Sequence, residues 1–103
     1  MLSEYEYSIM KSALLKGIKE LEGKAKHGNP SYYDLAKWIG AIDTLYYDKD
    51  EIDKIVEALH RMEKEGLIVG EGGYWIKGTH SGAGAKKWKL SGKPISHQER
   101  LIL

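Results

Sequence analysis

Apolar positions recur at helical spacing through the first two thirds of the chain and alternate in the last third. Tyr7, Met10, Leu14, Ile18 and Leu21 follow one another at steps of three and four, which predicts a helix from about Glu4 to Glu22. Ser3, with Glu6 three residues on, has the spacing of a capping box, and Gly23 supplies the stop. After a polar loop punctuated by Gly28 and Pro30, Ser31 and Asp34 repeat the box in acidic form. Leu35, Ala36, Ile39 and Ile42 then form a second stripe. A third runs through Ile52, Ile55, Val56, Leu59 and Met62, with Asp48 as its N-cap, Glu51 three residues later, and Gly66 where a helix-ending glycine belongs. Leu67-Ile68-Val69 opens a strand.

Beyond Gly66 the pattern changes. Seven of the twelve glycines fall between Gly66 and Gly84, too many for a helix. Tyr74-Trp75-Ile76-Lys77 and Lys86-Lys87-Trp88-Lys89-Leu90 alternate as strands, joined by a glycine-rich tip around Thr79-His80-Ser81. Trp88 and Leu90 share a face that seals the core, while Lys87 and Lys89 lie on the opposite, basic face. Gly92 and Pro94 break the chain before a short amphipathic tail that ends in Leu101-Ile102-Leu103.

The order of these pieces resembles the winged helix-turn-helix family. Leu35, Ala36, Ile39 and Gly40 match the family's second helix, and Ile55, Leu59, Met62 and Gly66 match its third. The likeness covers Tyr5 to about Leu90. It departs from the family in the turn, where the step from Gly40 to Ile55 is 15 positions. The surplus around Ala41 to Asp50 is expected to lengthen the second helix and the turn. The resemblance implies an α+β domain over residues 1–92, three helices plus a C-terminal β-hairpin wing, with 93–103 as a tail or short helix.

Charge sharpens the functional expectation. Net charge is +1, yet residues 1–66 carry −3 and residues 67–103 carry +4, so an anionic partner is expected at the C-terminal part. The resemblance implies double-stranded DNA as partner and transcription regulation as role. Ser31, Tyr33, Lys37, Lys49, Lys54, Lys77, His80, Lys86 and Lys87 are the expected contacts. If four to six of the lysines meet phosphates, log K against log salt slopes by about −4 to −5. Glu51, Asp53 and Glu57 occupy positions where that family reads bases, and carboxylates there are repelled by phosphate. The wing is therefore expected to contribute more affinity than the third helix. The same acidic helix would suit the alternative, a winged helix used for protein–protein contact.

Other classes find little support. There is no cysteine, hence no thiolate nucleophile and no zinc finger. Gly84-Ala85-Lys86-Lys87 lacks the Ser/Thr of a P-loop, and Glu57-x-x-His60 is half of a bundle metal site. The chain reads as a non-enzyme without a cofactor. With no apolar run near the ~18 residues of a membrane span, it is expected in the cytoplasm, as a homodimer joined through its apolar C-terminal end.

Overall fold

A computed structural model describes residues 2–25, 28–43, 45–72 and 86–92. Its order is α1 (Glu4–Leu21), α2 (Tyr32–Ile39), β1 (Ile42–Asp43), β2 (Tyr46–Tyr47), α3 (Lys49–Lys64), β3 (Ile68–Glu71) and β4 (Lys87–Leu90), an α+β arrangement. The expected strand at 74–77, the tip, Lys77, His80 and the tail from Lys93 onward lie outside the described residues.

The caps form where the sequence places them. Ser3 accepts from the Glu6 N–H while Glu6 accepts from the Ser3 N–H, so two helix-end donors are satisfied reciprocally. Ser31 and Asp34 do the same for α2. Asp48 accepts from the Glu51 N–H at 3.0 Å and starts α3. At the far end of α3, the Gly66 N–H donates to Glu63 and the Leu67 N–H to Met62. Gly66 holds a φ of 78°, the left-handed turn that this double closure requires.

The expectation of a lengthened second helix is corrected. Gly40 takes a φ of 99° and the Ala41 N–H returns to the Ala36 carbonyl, which ends α2 after eight residues. Ile42 therefore leaves the helical stripe. It pairs with Tyr47, and Asp43 with Tyr46, in a small antiparallel hairpin. An αL glycine followed by a β-branched residue and two tyrosines favours strand over helix, and tertiary contact decides the case: Ala41 and Ile42 are both buried.

All three helices and β3–β4 close on one core, which includes Leu14, Ile18, Leu35, Ile52, Ile55, Leu59, Met62, Ile68 and Trp88. Gly17 lets α1 and α2 approach closely. A Cβ there would lie 3.0 Å from both Leu35 Cδ2 and Trp38 Cε3. β4 pairs antiparallel with β3, Ile68 opposite Leu90 and Gly70 opposite Trp88. As the alternation requires, Trp88 is buried, with Leu90 packed partly against the core. The Trp88 N–H donates to the Pro30 carbonyl at 2.8 Å, tying the segment before α2 to the same sheet.

Candidate functional site

The basic ribbon and α3 are the two surfaces on which the expected contacts fall, and the structure couples their charges. Lys86 reaches Glu63 of α3, its ammonium 3.4 Å from either carboxylate oxygen. Its stem crosses Trp88, with the ammonium 5.8 Å from the ring centroid. Lys89 pairs with Glu71 on the neighbouring strand, which raises the lysine pKa through that hydrogen bond. The ribbon is thus cationic by sequence but partly neutralised in place.

The helix lysines are engaged as well. Lys49 meets Asp53 one turn on at 3.3 Å. Lys54 donates to Glu6 of α1 at 2.9 Å, so it faces α1. That bond, with the Ser3 N–H, holds Glu6 down at about 2, against an ordinary 4.5. The stabilisation is present above the ordinary value and is lost as pH falls through the depressed one. Arg61 completes the α1–α3 seam, 2.9 Å from Glu4 and stacked 3.9 Å over the Tyr7 ring. Tyr7 in turn donates to Glu65. Facing outward on α3 are Asp50, Asp53 and Glu57.

Ser31 is 3% exposed, and its hydroxyl serves the α2 cap, donating to Asp34 Oδ2 at 3.2 Å. Tyr33 and Lys37 share the outer face of α2, the Lys37 ammonium 5.4 Å from the Tyr33 ring centroid. Together with Gly40, Ile42 and Asp43 they line an open groove of about 600 Å³. The expected contacts therefore divide among three places: Tyr33 and Lys37 on α2, Lys49 and Lys54 on separate sides of α3, and Lys86 with Lys87 on the ribbon. Sequence reasoning missed the hairpin, which displays Leu45, Tyr46 and Tyr47.

Where α3 meets the ribbon, His60 lies edge-on to Trp88, ring centroids 6.3 Å apart, beside a crevice shared with Tyr32, Val56, Leu59 and Lys86 that has no room for water. Burial pushes the Tyr32 hydroxyl up to about 12. Burial likewise lowers the His60 pKa below 6.5, with Lys86 and Lys64 adding to the effect and Glu63 opposing it. The unfolded chain then binds the extra proton more readily. Stability contributed by neutral His60 is complete above pH 6.5 and drains as pH falls through the lowered value. Urea unfolding at pH 8 and pH 5 is expected to show a larger stability loss in wild type than in His60→Gln. Equal losses would contradict it.

Among the described residues, no group of three His or acidic side chains converges as a metal site: Glu57 accepts from the Leu2 N–H at 2.8 Å, while His60 faces Trp88. Nor is any described helix long and apolar enough to cross a membrane. Over the described residues the chain is of the α+β class, three helices with small antiparallel sheets. Compared with protein-family models, with curated proteins and with solved structures, it matches none.

Proposed function

We propose that the chain is a winged-helix DNA-binding module, with a role in transcription regulation, that holds duplex DNA through its basic β-ribbon. The observation that carries this reading is the placement of β4. Lys87 and Lys89 lie on β4 with Lys86 just ahead of it, and the strand pairs with β3 and meets α3 through Lys86–Glu63 and Trp88–His60. Lysines around a glycine-rich segment suit phosphate contact, which fixes position on the duplex without reading bases. The third helix suits it less, because Asp50, Asp53 and Glu57 face outward and Lys54 faces α1. A phosphate that takes Lys86 or Lys89 must displace Glu63 or Glu71, so these carboxylates compete with DNA.

That competition supplies the test. Glu63→Gln with Glu71→Gln keeps the shapes, removes both competitors and raises net charge by two. Duplex affinity at 0.1 M salt is expected to rise several-fold, since Lys86 and Lys89 no longer give up a half-exposed ion pair, worth up to about 1 kcal/mol each, on meeting phosphate. Unchanged or weaker binding by the double variant would remove the ribbon from the interface.

A further inference from the structure

We infer that the β1–β2 hairpin is a docking point for a protein partner whose surface is basic around an apolar cleft, with Leu45 as the anchor. This is independent of whether the ribbon holds DNA.

The hairpin has a fixed base and an exposed apolar tip. Ala41 and Ile42 are buried, and the Asp48 N–H closes the loop on the Ala41 carbonyl at 3.0 Å. Tyr46 donates its hydroxyl to Asp48, the N-cap of α3, at 3.0 Å, which holds its ring at the surface. From this base Leu45 projects with 99% of its surface exposed, flanked by Tyr46 at 54% and Tyr47 at 49%. Three adjacent large apolar residues facing water are the composition of an interface centre.

Charge selects the occupant. Asp43 flanks the tip on β1, and Asp50 and Asp53 are exposed on the first turns of α3, which begins directly after the hairpin. The nearest helix lysine, Lys49, is paired with Asp53. A phosphate backbone brought here would meet carboxylates and be repelled. A surface of lysine or arginine around an aliphatic cleft is complementary on both counts: the cleft takes Leu45 and its rim faces the aspartates.

The test uses the full chain and a fluorescein-labelled 18-residue helical peptide of leucine and lysine, followed by polarisation at 0.1 M salt. Two control peptides replace the lysines by glutamate or the leucines by serine. The leucine–lysine peptide is expected to bind, with the glutamate control silent and the serine control at least tenfold weaker. Leu45→Ser should weaken binding about tenfold or more, the loss expected of a buried anchor, and Asp50→Asn with Asp53→Asn several-fold. Because Leu45 is fully exposed, Leu45→Ser should unfold at the wild-type temperature, which separates lost docking from lost folding. No binding by wild type, or equal binding by Leu45→Ser, overturns the inference. So do two other results: self-association in sedimentation that Leu45→Ser abolishes, which assigns the tip to a second copy, and duplex binding that Leu45→Ser weakens, which assigns it to nucleic acid.

Discussion

Trp88→Ala is expected to cost about 3–5 kcal/mol of stability, the range for removing a buried aromatic side chain. For a domain of this size that lowers the melting temperature by roughly 15 °C or more. Trp88 is only 2% exposed, and it ties together three parts of the fold. Its N–H bonds to Pro30 ahead of α2, its ring meets His60 of α3, and its strand neighbour Gly70 lies so close that a Cβ there would come 2.9 Å from the ring. Thermal unfolding followed by far-UV circular dichroism checks the size of the effect. A shift of only a few degrees would mean that the ribbon is not part of the core.

The second large effect concerns binding. Lys86→Ala with Lys87→Ala is expected to weaken association with one duplex by roughly 10- to 50-fold at 0.1 M salt, two lost phosphate contacts less what Lys86 gives up on leaving Glu63. Lys49→Ala with Lys54→Ala should cost less, about threefold. Lys54 spans to Glu6 and serves the α1–α3 seam, and Lys49 brings its ion-paired Asp53 with it. Sequence preference should hardly change in either variant, because phosphate contacts carry no base information. Parallel titrations of the two double variants against one duplex decide it: a larger loss from the helix pair would put α3 in the groove.

Local features were legible in the chain and distant ones were not. Ser3, Ser31, Asp48 and Gly66 each act on backbone within a few residues, so spacing alone revealed the helix ends. The alternation of Trp88 with its lysine neighbours placed the buried face of β4, because strand period needs no knowledge of the partner. The hairpin was misread because each strand is two residues long. Ile42 fits a helical stripe as well as a strand, and the choice rests on Gly40 adopting a left-handed conformation and on burial of Ala41 and Ile42. Charge pairing was hidden for a different reason. Lys54 and Glu6 lie 48 positions apart, and Lys86 and Glu63 lie 23 apart. No periodicity reports that these carboxylates meet lysines counted as available for phosphate.

This pairing changes the number that best measures the interface. With Lys49 tied to Asp53 and Lys54 to Glu6, the ribbon's Lys86, Lys87 and Lys89 are left for phosphate, and log K for random duplex DNA against log salt should slope by about −3, shallower than the −4 to −5 expected if four to six lysines met phosphates. A titration of the full chain from 50 to 200 mM salt, read by polarisation of a labelled duplex, measures that slope directly. The account predicts binding that weakens with a slope near −3; no association even at the lowest salt, or a slope steeper than −5, would contradict it.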